Sequence, residues 1–320
     1  MRILVTGACG FIGSALVRRI LRTTDWHVTN FDALTYAANP SALAAVEQSK
    51  RYRFVRGDIT SSSDLAKLVP TVMWRRHEYD LCFHLAAESD VTRSLVDPVR
   101  ALETNANGVY RMLTELGPHV KRFVFVSTDE VYGSVPLEAA PLKEDAPLAP
   151  STPYACGKAM GDLLVHTWGK THGIDATLTR CVNNFGPYQS YEKLIPRMVA
   201  KCVAREPLTI HGAGTQIRDW IHVEDHVSAL LQVAEKGEKG QVYHVGANQE
   251  IPNVQVIEAI GRLMSFEEYA RIPDRVANDT RYALDASKLR SLGWAPQYDF
   301  WTSLPDVVAH YRDSLRASTI

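Results

Sequence analysis

At 320 residues, with 46% apolar and 22% charged side chains, the chain has the composition of a soluble globular protein, long enough for two domains or one core with an attached lobe. A formal net charge of -1 without a basic tract argues against nucleic-acid or membrane-surface binding and leaves room only for a local phosphate site. No apolar run approaches the ~20 residues of a membrane span, and Met1 to Thr6 enter a strand at once rather than a secretory signal. Cys9, Cys82, Cys156, Cys181 and Cys202 lack paired or CxxC spacing, so free thiols without a metal are expected, in a cytoplasmic protein.

In chain order, Ile3 to Val5 read as a strand and Ser14 to Leu21 as a helix, with Gly7, Gly10, Phe11, Ile12 and Gly13 between them. A GxxGxxG loop in that position is a dinucleotide fingerprint. Its glycines allow a tight turn, a close pyrophosphate and close helix packing, and the helix N-terminus offers amides to phosphate. His27 to Phe31 form the second strand and end at Asp32, whose distance from the glycines suits an acceptor for ribose hydroxyls and so favours NAD over NADP. Arg53 to Val55 form the third strand. After it, Asp58 is placed either to reach the adenine or to cap a helix beginning near Ser61.

Asp80 to Leu85 form the fourth strand, with Ala86, Ala87, Glu88 and Ser89 at its mouth, where small residues suit a closely held cofactor. His84 reads as packed rather than catalytic; Arg93 suits either an anionic substrate or a surface pair. A helix over 98–116, a fifth strand from Val120 to Val126, a helix from Tyr154 and a sixth strand from Ile174 to Thr179 complete an alternating β/α pattern. The expected fold is α/β: a doubly wound Rossmann-type parallel sheet with a smaller, discontinuous C-terminal substrate lobe. The division falls near residue 180, giving a nucleotide-binding domain over 1–180 with returns at about 219–248, and a substrate domain over 181–320. Within the second part, Asn183 to Tyr188 read as a turn-rich stretch and Gly212 to Trp220 as a loop returning to the body. Leu194 to Ala204 is expected to be helical, Leu208 to His211 a strand, and Asn253 the start of a further helix.

The chemistry concentrates between residues 127 and 158. Tyr154 and Lys158 are four apart on a helix and share a face. A free phenol, with a pKa of about 10, is a poor base near neutrality. A lysine ammonium and an oxidised nicotinamide would lower that value, and Thr128 can share the proton relay. Oxidation alone does not require Asp129 and Glu130. Two adjacent carboxyls repel, which leaves two readings, a solvated acidic pair at the loop start or a pair in which one carboxyl keeps its proton. That arrangement suits elimination, with Glu130 taking a carbon-bound proton and Asp129 protonating the departing hydroxyl.

These residues, together with Leu34-Thr35-Tyr36-Ala37, Asn183-Asn184-Phe185-Gly186-Pro187-Tyr188, Glu192-Lys193-Leu194-Ile195-Pro196 and Gln216-Ile217-Arg218-Asp219-Trp220, resemble the extended short-chain dehydrogenase/reductase family. Within it they are most similar to the dTDP-glucose 4,6-dehydratases, over nearly the whole chain. The resemblance implies tightly bound NAD regenerated in each cycle, and conversion of a nucleotide-diphosphate hexose to its 4-keto-6-deoxy form. It assigns Tyr154, with Thr128 and Lys158, to the C4 hydroxyl, Asp129 to the C6 hydroxyl and Glu130 to the C5 proton. Cofactor contacts are implied for Gly7, Gly10, Phe11, Ile12, Gly13, Asp32, Thr35, Asp58, Ile59, Leu85, Ala86, Ala87, Tyr154 and Lys158. Substrate contacts are implied for Ser89, Arg93, Asn184, Lys193, Leu194, Arg218, Asn253 and Arg275. It also implies a homodimer through the helices near 98–116 and 154–170.

Three departures stand out. The family's Tyr-Ser-Ala-Ser-Lys is Tyr154-Ala155-Cys156-Gly157-Lys158, its His-Val is Asp90-Val91, and its Arg-Pro-Gly-His-Asp is Arg275-Val276-Ala277-Asn278-Asp279. The last lies near the nucleotide end, which keeps UDP-hexoses and UDP-N-acetylhexosamines open as substrates. A 5,6-dehydratase, a C4 epimerase (which needs the Tyr–Lys pair but not the acids) and a non-catalytic nucleotide-binding scaffold are the competing readings.

Overall fold

The structure, a computed structural model, describes residues 1–69 and 77–317. Its main sheet is built from seven parallel strands: β1 (Arg2–Thr6), β2 (His27–Asp32), β3 (Tyr52–Arg56), β4 (Leu81–His84), β5 (Phe123–Thr128), β6 (Ala176–Cys181) and, in seventh place, Val242–Val245. The order runs from Val242–Val245 through β6, β5, β4, β1 and β2 to β3. From β1 the chain steps outward through β2 and β3, then returns to lay β4 on the other side of β1. The crevice between β1 and β4 is thus the point where the winding reverses, the usual ligand site of such sheets.

Alternation along the strands decides which helices cover which face. Ile3 and Val5 of β1, with Val124 and Val126 of β5, pack against Leu16 and Ile20 of helix Phe11–Thr23 and Val227 and Leu230 of helix Val223–Lys236. Leu4, Phe123 and Phe125 point the other way, onto Val109, Met112 and Leu113 and onto Val165 of helix Pro153–Thr171. Burial on both faces is why β5 reads as an unbroken apolar run, Phe123 to Val126.

The expected helix over 98–116 is present but not uniform, widening into two π-type segments, Glu103–Gly108 and Met112–Leu116. Such widenings recur at functional sites. Here the first brings Asn105 into a paired bond with the β4 mouth: its Oδ1 accepts the Glu88 amide at 2.8 Å and its Nδ2 donates to the Glu88 carbonyl at 2.9 Å.

Beyond β6 the later residues build a second core around Phe185, Met198, Trp220, Ile260, Phe300 and Tyr311. Two stretches differ from expectation. The turn-rich segment contains β7 (Asn183–Phe185), and the returning loop contains a strand, Ile217–His222, that is the centre of a three-stranded sheet with β7 and Glu250–Pro252. Polar Arg218 and Asp219 sit inside that strand and break the apolar alternation by which strands are recognised. A parallel pair, Leu208–His211 with Tyr269–Ile272, completes the lobe. Among the described residues no helix is long and apolar enough to cross a membrane, and no cluster of His, Cys, Asp or Glu is arranged to hold a metal ion.

Candidate active site

Two cavities of about 330 and 320 Å3 adjoin at the C-terminal ends of the strands, sharing Glu130, Asn183, Glu192, Lys193, Leu194 and Trp220 in their walls. The first is lined by every residue expected at the cofactor and by all five expected catalytic residues, with Ser89, Asn184, Lys193 and Leu194. The second takes Arg93, Arg218, Asn253 and Arg275, again with Lys193 and Leu194. The sequence motifs therefore converge on one continuous space.

The first cavity fits a dinucleotide. Gly7 has φ +69°, and a Cβ there would lie 2.8 Å from Ala86 Cα; a Cβ at Gly13 would press on the Gly7 carbonyl and come within 2.7 Å of Ala8 Cα. Only glycine lets β1, its loop, the β4 mouth and the helix approach this closely. Asp32 is oriented by backbone amides, Cys9 N to Oδ2 and Leu34 N to Oδ1, each at 2.8 Å, which fixes the carboxylate at the mouth of β2 with lone pairs left for ribose hydroxyls. Asp58 does not cap the helix at Ser62. It accepts from the Thr60 amide and hydroxyl in a tight turn, and Ser61 is the cap, accepting from Asp64 N. The turn still leaves Asp58 on the cavity wall. His84 is packed, as expected. It is buried between Phe123 and Phe125 with Nδ1 2.8 Å from Thr6 Oγ1, and burial holds it neutral with a pKa of about 3.

Local rules place the catalytic groups. Thr152 accepts the Ala155 amide and Pro153 takes the first helical position, so the helix starts one residue before Tyr154. Thr128 caps the short 3₁₀ turn Asp129–Tyr132, accepting from Glu130 N at 3.3 Å and donating to Asp129 Oδ1 at 3.1 Å. Among the described residues Asp129 Oδ2 is buried without a hydrogen-bond partner. Burial first, then the Glu130 charge, push the Asp129 carboxyl well above the ordinary range, so it holds a proton. Burial also raises Glu130, but Lys193 and Arg218 oppose the shift and favour its charged form. The two acids are thus differentiated by their surroundings.

Tyr154 corrects the expectation of a lowered phenol. Burial, then Glu130, push its pKa well above the usual value, with the Thr128 hydroxyl opposing. The Lys158 Nζ donates to the Val126 carbonyl at 2.6 Å and lies 4.4 Å from the Phe125 ring, and burial lowers its pKa to about 8. The surroundings of Tyr154 in the protein thus favour the protonated phenol.

In the second cavity, Lys193 donates to the Ser89 carbonyl at 2.7 Å and stands at the head of helix Leu194–Ala204, whose first amides have no side-chain cap. Arg218 spans Ile217 O, Asp279 O and Asn278 Oδ1, with its guanidinium 4.2 Å over the Tyr282 ring. Of the two roles open to Arg93, the structure shows the ion pair and places the residue on the cavity wall. It lines the cavity, stacks 4.0 Å over Tyr36 and approaches buried Glu88 at 3.8 Å. Asn184 lies on the wall with its carboxamide turned inward, to Val182 O and His226 Nδ1. Arg197, overlooked in the sequence, also lines this cavity; its place one turn into the helix that Lys193 heads was the available signal. Five cations face three carboxylates there, a positive basin in a nearly neutral protein.

Residues 3–246 match the NAD dependent epimerase/dehydratase family. A dTDP-glucose 4,6-dehydratase of Escherichia coli is 40% identical over 343 aligned positions, covering 97% of this chain and 93% of that one. One from Streptomyces niveus is 41% identical, covering 98% and 94%. Among solved structures, a dTDP-glucose 4,6-dehydratase of Streptomyces venezuelae with NAD bound superposes with a TM-score of 0.93 at 38% identity, over 99% of this chain and 98% of that one. A UDP-glucose 4-epimerase of Thermotoga maritima shares the fold at a TM-score of 0.89 and 26% identity, covering 98% and 100%.

Proposed function

The chain belongs to the NAD dependent epimerase/dehydratase family, and we propose that it is a dTDP-glucose 4,6-dehydratase, forming the 4-keto-6-deoxy sugar. The observation that carries this reading is the pair Asp129 and Glu130 on the same wall as Tyr154, with the Asp129 carboxyl pushed well above the ordinary range by burial and the Glu130 charge, and the smaller rise of Glu130 opposed by Lys193 and Arg218. An epimerase needs no such pair.

NAD, when bound, accepts hydride from C4 and returns it at C6, and its positive ring opposes the upward shift of the phenol. Gly7, Gly10 and Gly13 would hold its pyrophosphate and Asp32 its ribose hydroxyls. Tyr154 Oη takes the C4 hydroxyl proton, with Thr128 Oγ1 relaying and Lys158 supplying positive charge behind it. Glu130 takes the C5 proton once C4 is a ketone. Asp129 Oδ2 gives its proton to the C6 hydroxyl as water leaves. Lys193, Arg218 and Arg275, with the uncapped N-terminus of helix Leu194–Ala204, receive the diphosphate. Ser89, Arg93, Asn184, Leu194 and Asn253 complete the substrate wall.

The division of labour follows the two cores: residues up to about 180 and the return near 219–248 hold cofactor, and the remainder holds the nucleotide sugar. Val99, Tyr110, Met160 and Leu163 leave apolar side chains exposed along the helical run 98–116 and helix Pro153–Thr171, which supports a homodimer through those helices. Incubation with dTDP-glucose is expected to give a product lighter by one water and carrying a 4-keto group, read by mass spectrometry. A product of unchanged mass with inverted C4 would establish an epimerase instead. Inactivity on dTDP-, UDP-, GDP- and CDP-hexoses would overturn the reading.

A further inference from the structure

Behind the cavities, Arg180 of β6 is buried at the centre of a polar network that no step above uses. Its Nε donates to Asp162 Oδ2 at 2.7 Å, and its Nη1 donates to the Tyr132 hydroxyl and to the Glu144 carbonyl at 3.2 Å. Tyr132 Oη also lies 2.7 Å from His244 Nε2. His244 Nδ1 faces the Asp285 carbonyl at 3.1 Å and must donate there, which makes Nε2 the acceptor of the Tyr132 proton. The Tyr132 hydroxyl therefore donates to His244 and accepts from Arg180, with the Glu144 carbonyl a more distant 3.5 Å away.

The two ends of this network belong to the two catalytic segments. Tyr132 closes the turn that carries Asp129 and Glu130, and Asp162 lies one helical turn beyond Lys158, on the face shared by Tyr154 and Lys158. We propose that Arg180 is a positioning residue that locks the two halves of the catalytic apparatus to each other, holding the acid/base turn through Tyr132 and the Tyr–Lys helix through Asp162. The inference rests on the dehydratase reading, in which oxidation and elimination act on neighbouring carbons of one sugar. Misplacing one set of groups by about 1 Å relative to the other costs on the order of 100-fold in rate. Stability alone is a weak reason to bury an Arg–Asp pair, since apolar residues of similar volume serve as well.

The links can be cut one at a time. Tyr132→Phe keeps the ring and removes the hydroxyl, freeing only the turn; Asp162→Asn weakens only the hold on the helix. With dTDP-glucose, wild type serves as the control for the dehydratase reading. In single-turnover experiments Tyr132→Phe is expected to slow loss of water by about 10- to 100-fold, with C4 oxidation, followed by reduced-nicotinamide absorbance, within about threefold of wild type. Asp162→Asn is expected to slow C4 oxidation by a comparable factor. Amide hydrogen exchange should rise at 129–133 in the first variant and at 153–158 in the second. Equal slowing of both half-reactions in Tyr132→Phe, or no slowing of either, overturns the proposal. That variant alone decides if Asp162→Asn fails to fold, because the partition is read within one protein. An inactive wild type would overturn the dehydratase reading and the proposal with it.

Discussion

The cavity over the main sheet has at its cofactor end a wall of close main-chain contacts: glycines at the β1 mouth, small residues at the β4 mouth, and a carboxylate held by two main-chain amides. The cavity under the later lobe is walled by long side chains, Arg93, Arg197, Arg218 and Arg275, borne on two helices, a strand and a loop that are far apart in sequence. The first is shaped by strand ends whose positions the sheet register dictates. The second depends on where flexible guanidiniums are held by neighbours such as Asn278, whose Oδ1 accepts from both Arg218 and Arg275 at 3.4 Å. A backbone wall tolerates little variation. A side-chain wall permits exchange of one residue at a time, and the family departures at Ala277 and Asn278 fall there.

Glu130 stands on the boundary between the two, and its loss should have the largest effect. Glu130→Gln is expected to lower the dehydration rate by about 10²- to 10⁴-fold, while C4 oxidation, read from reduced-nicotinamide absorbance, persists. Survival of full dehydration would remove Glu130 as the C5 base. Breaking the backbone wall comes next. Gly13→Ala is expected to leave purified protein with at least about tenfold less bound NAD, measured after denaturation, because the added carbon meets Gly7 and Ala8 main-chain atoms that cannot move independently. Full cofactor occupancy in that variant would show the wall to be softer than its geometry.

A change in the side-chain wall should be milder and fall on binding. Arg218→Lys keeps the charge and loses the fork, so KM for the nucleotide sugar is expected to rise about tenfold with kcat little changed. A fall in kcat at constant KM would place Arg218 in the chemistry instead. The smallest effect concerns stability. The Asp129 carboxyl is raised in the folded chain by burial and Glu130, so the fold binds a proton that the unfolded chain releases above about pH 4. Stability therefore declines as pH rises from there toward the folded value. Asp129→Asn removes that titration and is expected to raise Tm by about 2 °C at pH 8 while abolishing elimination. A Tm difference independent of pH would mean that the carboxyl is charged in the fold.

The contrast between the cavities also explains what was readable in advance. The strand–glycine–helix start, Asp32 and the Tyr154–Lys158 spacing were legible because each is a local rule acting over one loop or one helical turn. The strand Ile217–His222 was not, because its charged residues are satisfied by tertiary partners: Asp219 accepts the Asn248 and Gln249 amides, and Arg218 is held by the 278–279 loop. Arg197 had only a weak local signal, its place one turn into helix Leu194–Ala204 behind Lys193, and the fold is what brings it to the cavity wall.

By itself the sequence determined the β/α alternation, the dinucleotide loop and the presence of a phenol, an ammonium and two carboxyls near one pocket. Periodicity, glycine placement and residue spacing are carried by neighbours along the chain. Only the tertiary structure supplied the cause of the proton on Asp129 that the sequence had assigned, the reason the phenol lies high, and the link through Arg180 between both catalytic segments. Those properties arise from burial and from charges brought together across the fold, distances that one-dimensional spacing does not contain.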